Sequence, residues 1–342
     1  MNLPRLKSLV CLGTRGAVSA RVAGSVAASV LAGVAAVFAA GLAGGAAHAA
    51  YPDKTVQYII PFTPGGESDF VARMQSEVFR KKYNQSMVVQ NRPGAGGGLV
   101  WAQLNSLPAD GYTIAGINLP HVVLQPLEGN VQYKTEDLAP VYFYHFTADA
   151  IVVPLSSPFK TYQEMVAAAK AKPGSLNFAG SGSFSANHMA HERLNKLAGI
   201  KSTYVPFKGT GDLLASVLGG HVDAAMTYLP FAIQQKGQTR MLAVASPKRH
   251  PQFPDVPTFK ELGLDWVDGA YRGVAVPKST PPEVQKQVSD VMKELNADPE
   301  SRQKLADGGF DIVDVSLDQM PAFLEERKKG YLQDAKDAGL IK

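Results

Sequence analysis

The sequence predicts an α/β protein of two lobes, each assembled from βα units and joined by two crossing strands with a ligand cleft between them. Three observations carry this reading. Short apolar runs at 56–60, 87–90 and 112–117 alternate with segments of helical periodicity, the pattern of βαβ units around a mainly parallel sheet. The alternation restarts after Ala150-Ile-Val-Val-Pro154. A glycine turn stands between strand and helix at an equivalent place in each half.

Taken in order, residues 1–49 hold Arg5, Lys7, Arg15 and Arg21, no acidic residue, and a long Ala/Val/Leu/Gly run ending in Ala47-His-Ala49. That is the pattern of a secretory signal peptide with an A-x-A cleavage site, which sends the mature chain to the periplasm. Cys11, the single cysteine, precedes the apolar run instead of closing it, so a lipid anchor is not expected and the thiol leaves with the leader. Removing the leader's 4 basic residues from 34 leaves 30, against 30 acidic residues that all lie beyond it. A formally neutral mature chain gives no footing for nucleic acid or an anionic membrane surface. Its 293 residues, 342 less 49, suffice for about two domains. We expect residues 50–150 with 273–342 to form the first lobe and 151–272 the second.

In the first lobe the strand at 56–60 breaks at Pro61-Phe-Thr-Pro-Gly-Gly-Glu-Ser-Asp69 and restarts as a helix over about 68–82. Gly65 and Gly66 leave the first helical N–H groups open to an anion, with the positive end of the helix dipole behind them. Ser68 or Asp69 is expected to cap that helix. A strand at 87–90, a helix over about 97–106 and a strand at 112–117 follow. The aromatic cluster Tyr142-Phe-Tyr-His-Phe146 reads as a strand between lobes, with crossings at Val152-Val153 and around 274–276. The second lobe opens with a helix over 161–171 capped by Thr161, a strand at 176–179, and the turn Ala179-Gly-Ser-Gly-Ser-Phe-Ser185. Then come a helix over about 185–197, a strand at 203–206, a helix ending near Gly220, and strands at 224–227 and 241–245. A return strand at 273–277 precedes helices over 282–296, 299–307 and 317–337.

Two glycine turns facing one cleft can surround a small anion with main-chain N–H groups and hydroxyls. Charge-assisted hydrogen bonds contribute about 1.5 to 3 kcal/mol each, so roughly four to six suffice for a micromolar complex near 8 kcal/mol after ordering costs. Other chemistry fits poorly. His188-Met-Ala-His191 has an i, i+3 spacing but no third metal ligand nearby. Gly180-Ser-Gly-Ser183 lacks the G-x-S-x-G order of a nucleophile elbow, and Gly94-Ala-Gly-Gly-Gly98 misses the dinucleotide spacing. No catalytic residue, metal or cofactor is expected.

Together, Tyr51-Pro-Asp-Lys54, the 61–69 turn, Asn91-Arg-Pro-Gly-Ala-Gly-Gly97, Asp110-Gly-Tyr-Thr113, Pro173-Gly-Ser-Leu-Asn177, Gly180-Ser-Gly-Ser183, His188, Val205-Pro-Phe-Lys-Gly209, Leu218-Gly-Gly-His-Val-Asp223 and Pro254-Asp-Val-Pro-Thr258 form a pattern that spans the mature chain. It resembles the extracytoplasmic substrate-binding receptors of the tripartite tricarboxylate transporter family, the Bug receptors. The resemblance implies a type II periplasmic-binding-protein fold, monomeric and non-enzymatic, that closes around a di-, tri- or aromatic carboxylate and delivers it to inner-membrane transporter subunits. It places Phe62, Gly65, Gly66, Ser68 and Asp69 in the first-lobe turn, Ser181, Gly182 and Ser183 in the second, and His188 and Asn118 beside the ligand. Thr227 and Tyr228 stand where many relatives carry an Asp before Leu-Pro, with Asp149 as its substitute. Arg272 stands where many relatives carry an aromatic or aliphatic residue; its guanidinium can pair with a carboxylate or an interlobe partner. A ligand-presenting sensor for a histidine kinase shares the same pocket, and an exported α/β hydrolase is the rival class. Protein recovered from the periplasm should begin at Ala50 or Tyr51 by N-terminal sequencing and intact mass; full-length chain in the inner membrane would refute cleavage.

Overall fold

The computed structural model describes residues 51–342, which form one compact unit; the expected signal peptide and cleavage site lie outside the described residues. β1 (Val56–Ile60) is buried along nearly its whole length and lies parallel between β2 (Met87–Asn91) and β3 (Thr113–Leu119). α1 (Glu67–Tyr83) and α2 (Gly98–Gln103) supply the crossovers between these strands, and α3 (His121–Glu128) follows β3. β4 then runs from Leu138 to Pro154, 17 residues almost entirely buried.

The second half repeats the scheme. α4 (Tyr162–Ala171) starts with a reciprocal capping box in which Thr161 Oγ1 accepts from Glu164 N and the Glu164 carboxylate accepts from Thr161 N. β5 (Asn177–Ser181), α5 (Ala186–Ala198), β6 (Thr203–Phe207), α6 (Leu213–Leu218), β7 (Ala224–Tyr228), α7 (Leu229–Gln234) and β8 (Thr239–Val244) follow. β5 is parallel to β6 and β7. The chain returns through β9 (Gly269–Pro277) and ends in α8 (Pro282–Asn296), α9 (Pro299–Asp307), β10 (Asp311–Val315) and α10 (Met320–Asp337).

The strand order is β2-β1-β3-β9-β4-β7-β5-β6, with β10 and β8 also paired to β4. Parallel pairing is confined to the βα units; β9, β8, β7 and β10 all meet β4 antiparallel. β4 pairs with β9 through Ala148 and with β7 from Asp149, so one strand serves two cores. One core contains Tyr58, Trp101 and Phe143, the other Met165, Phe178 and Trp266. The expected crossing positions are corrected by this register. Val152 and Val153 already pair inside the second half, and 274–276 already pair inside the first. The hand-over falls at Ala148 and Asp149, where Asp149 N donates to Asp268 O at 3.0 Å and Ala245 N to Asp149 O at 2.8 Å. Apolar β-branched runs mark burial, not the place where a strand changes partners.

Two histidines near Arg272 are enclosed by this packing. His145, on β4, lies between the rings of Tyr144 and Phe310, and His121, at the start of α3, between Phe62 and Trp101. Burial, reinforced by the Arg272 charge, pushes the His121 imidazole down to about 3 and His145 well below its ordinary range. Burial likewise lowers His188, on α5, to about 4 against the pull of Glu192. An unfolded histidine takes up a proton near pH 6.5 whereas folded His121 stays neutral to about 3, so between those values the unfolded state binds more protons and stability falls as pH falls. For His121 alone the loss between about pH 7 and pH 5 is about 2 kcal/mol. Asp149, whose carboxyl burial pushes well up, acts in the opposite direction, so the variant must be compared with wild type at both pH values. In urea denaturation His121→Phe should lose about 2 kcal/mol less than wild type over that interval; equal losses would remove His121 from the acid response.

Candidate functional site

The N-terminus of α1 is built differently from a bare anion seat. Gly66, extended at φ −80°, ψ 172°, is the N-cap and no side chain caps it, so neither Ser68 nor Asp69 plays the expected capping part. Asp69 instead folds back: its Oδ2 accepts from Gly65 N at 3.0 Å and from Arg73 Nε at 3.1 Å. Burial opposes the charge on Asp69, but the bonds from Arg73, Gly65 and Asn91 hold its carboxyl below the ordinary range. Glu67 and Asp69 thus put two of the chain's own acids in the first turn, at the end of the helix where the dipole favours them.

Three main-chain donors of the second glycine turn are already taken. Ser181 N donates to Asn187 Oδ1 at 3.0 Å, Gly182 N to Phe207 O at 2.8 Å, and Phe184 N to His188 Nδ1 at 3.1 Å. Those three N–H groups stay within their own half and are not free for a ligand in this form. His188 is placed accordingly. Its ring stacks on Tyr204 at 4.5 Å and braces the turn, and it does not reach the enclosed hollow described next.

That hollow is lined by Phe62, Gly66, Glu67, Ser68, Asn118, Ser181, Thr210, Tyr228 and Arg272. Six of the predicted residues other than Arg272 therefore meet around it. β3 and β9 set Asn118 and Arg272 side by side in register. Arg272 is 2 % exposed; its Nη1 donates to Thr147 Oγ1 and, at 3.4 Å, to Ala270 O, and its guanidinium lies 4.5 Å from the centre of the Tyr228 ring. The Nε of Arg272 and the hydroxyl of Tyr228 have no hydrogen-bond partner. A buried guanidinium with spare donors is suited to a bidentate oxyanion. Thr227 is fully buried with an unpartnered hydroxyl and does not line the hollow.

Two residues enter the site without having been singled out from the sequence: Glu67 and Thr210. Thr210 Oγ1 donates to Glu67 Oε2, and Arg272 Nη2 lies 3.7 Å from the same oxygen, an ion pair beyond hydrogen-bond length. An acid at the first helical position reads as an ordinary helix-start signal, which hides its second role. Thr210 follows Gly209 in a third glycine turn, and that resemblance to the other two turns was the available clue.

The hollow measures about 10 Å3, room for about one water molecule. Larger hollows, among them ones of about 600, 690 and 570 Å3, are open surface grooves. The first contains Gly182 and Ser183, away from the buried charge; the convergence of Arg272, Glu67 and Asn118 argues for the small enclosed site despite its volume. Its walls are in close contact. A Cβ on Gly66 would stand 2.7 Å from Thr210 Oγ1, and one on Gly182, at φ +65°, would stand 2.7 Å from Gly96 Cα. Gln125 Nε2 joins the same seam, donating to Gly96 O at 2.9 Å and to Ser183 O at 3.4 Å. The structure is a closed form, and a molecule larger than water must enter by separating these contacts. Gly66 is accordingly a contact of closure and not a solvent-facing surface. Gly66→Val should fold, scatter as a more open particle, and bind ligand at least about a hundredfold more weakly; wild-type affinity by calorimetry would remove Gly66 from the closure seam.

Among the described residues no group of three or more His, Cys, Asp and Glu is placed to hold a metal ion. Comparisons with known proteins agree with this architecture. A protein from Cupriavidus necator, described as a UPF0065 protein in the gbd 5' region, is 32 % identical over 296 residues, covering 85 % of this chain and 90 % of its own. The structure of the periplasmic binding protein BugD superposes with a TM-score of 0.80 at 26 % identity, covering 85 % of this chain and all of BugD. That of MatC from Rhodopseudomonas palustris, with bound malate, gives a TM-score of 0.76 at 25 % identity, covering 83 % and 99 %. Residues 71–336 match the family described as tripartite tricarboxylate transporter family receptor. With a two-sheet α/β fold that closes on a buried polar hollow, and with that match across most of the described chain, this protein belongs to the tripartite tricarboxylate transporter receptor family.

Proposed function

We propose that the chain is a periplasmic solute-binding receptor that closes two lobes around a small organic carboxylate and presents it, as a monomer, to the membrane subunits of a tripartite transporter. The observation that carries the reading is Arg272: a charged side chain buried between the two halves, with Nε unpartnered, facing a hollow that Asn118, Ser68 and Tyr228 complete. A buried charge is retained where it is paired, and the partner it lacks in full is an oxyanion. The malate bound by MatC supports that ligand class. The change of β4 partners between Ala148 and Asp149, with β9 paired to the first half from Gly269 onward, supports two lobes but moves the expected bounds of 150 and 273 to 148 and 269. Among the described residues no helix is long and apolar enough to cross a membrane.

Within this reading Arg272, Asn118, Ser68, Ser181 and Tyr228 contact ligand and Phe62 forms the apolar wall. Gly65, Asp69 and His188 hold the turns in shape; Gly66, Gly182 and Ser183 close the seam, and Thr227 backs Tyr228. Thermal denaturation against a panel of carboxylates should show a midpoint that rises as ligand exceeds its dissociation constant, without turnover. Arg272→Ala should weaken binding by about 1.5 to 3 kcal/mol, roughly ten- to a hundredfold. A panel with no stabilising carboxylate, or an Arg272→Ala protein of unchanged affinity, would overturn the proposal.

A further inference from the structure

The hollow holds acceptors as well as the Arg272 donors. Glu67 is 4 % exposed and its carboxylate lines the hollow, with Oε2 taking both the Thr210 hydroxyl and the Arg272 approach. Ser181 is a second acceptor, for a reason fixed by its neighbour. Ser181 N donates to Asn187 Oδ1, which identifies that atom as the amide oxygen, so the Ser181 hydroxyl 2.6 Å from it must donate to it as well. The Ser181 proton is committed inside its own half, and Oγ presents lone pairs to the hollow that it lines.

From these groups we infer that the ligand is a monocarboxylate whose far end bears a hydrogen-bond donor, an ammonium or a hydroxyl, which Glu67 and Ser181 read while Arg272 holds the carboxylate. The inference rests on the carboxylate-receptor reading and narrows the di- or tricarboxylate expectation. Charge decides between them. Glu67 and Arg272 offset each other, so a zwitterion adds no net charge and a hydroxy acid adds one negative charge, which faces the guanidinium. A second carboxylate would meet the Glu67 carboxylate in a site 2–4 % exposed at both charged residues, where like charges are weakly screened. Repulsion would be joined by geometry, because a carboxylate has no proton to give either Ser181 Oγ or Glu67. Asp69 is spent on Gly65 and Arg73, and neither it nor buried Asp149 lines the hollow.

Matched ligands test this directly. Calorimetry on wild type would compare succinate with 4-aminobutyrate and 4-hydroxybutyrate, glutarate with 5-aminopentanoate, and adipate with 6-aminohexanoate. In the pairs that bind, the donor-tipped member should bind at least about tenfold tighter than the dicarboxylate. Glu67→Gln keeps the shape and an acceptor for Thr210; it should weaken the ammonium ligands by at least about tenfold and strengthen the dicarboxylates, reversing the order. A wild type that prefers the dicarboxylates overturns the inference without any variant, as does a preference that Glu67→Gln leaves unmoved; both outcomes leave the receptor reading standing. If no carboxylate of any pair binds, the receptor reading falls and this inference falls with it.

Discussion

Everything in this molecule is hung on β4, a buried strand that belongs to both halves. Because its residues up to Ala148 pair with β9 and those from Asp149 with β7, the two cores cannot drift apart as independent domains; they can only rotate about the backbone between them. The same strand fixes the binding chemistry. β9 pairs with β4 on one side and β3 on the other, so Arg272 is held opposite His145 and Asn118 by main-chain register before any side chain contributes. A guanidinium placed this way is buried as a consequence of the sheet. It then requires partners, which Thr147, the Tyr228 ring and Glu67 supply incompletely.

Closure follows from the absence of side chains where the halves meet. Gly66 against Thr210 and Gly96 against Gly182 bring backbone to within contact distance, and each added Cβ would hold the halves apart. The glycines that suggested an anion cradle therefore serve a second purpose, letting two turns seat against each other so that the hollow is shut from solvent. Shutting it strengthens every charge interaction inside, since the effective dielectric constant falls as water leaves. Affinity and closure are in this sense one property of the seam.

Most of the strands and helices, the alternation that restarts midway, the glycine turns and the family were legible in local sequence, because apolar periodicity and turn chemistry act over a few residues, but α3, α7 and β10 were not read. The capping box at Thr161 was fixed in the same way. Less was legible where a residue's partner lies far along the chain. Whether Gly182 N faces a ligand or Phe207 O is decided by the β5–β6 pairing, and nothing within the turn itself announces it. The place where β4 changes partners depends on how β7 and β9 abut, so the valine runs pointed past it.

Membership of the site was decided the same way. Phe62, Ser68, Asn118, Ser181, Tyr228 and Arg272 were placed there by the family resemblance, whereas Glu67 stood unremarked inside the first glycine turn and Thr210 was not singled out. They meet only because α1 and the turn after β6, separated by 143 positions, are pressed together when the halves close. The sequence by itself determined which elements form and which turns are short of side chains, since those are local preferences of backbone and burial. Only the tertiary structure decided which N–H groups remained free, which charges faced each other, and that the hollow carries acceptors beside its guanidinium, because hydrogen-bond saturation and charge pairing are settled by distant contacts.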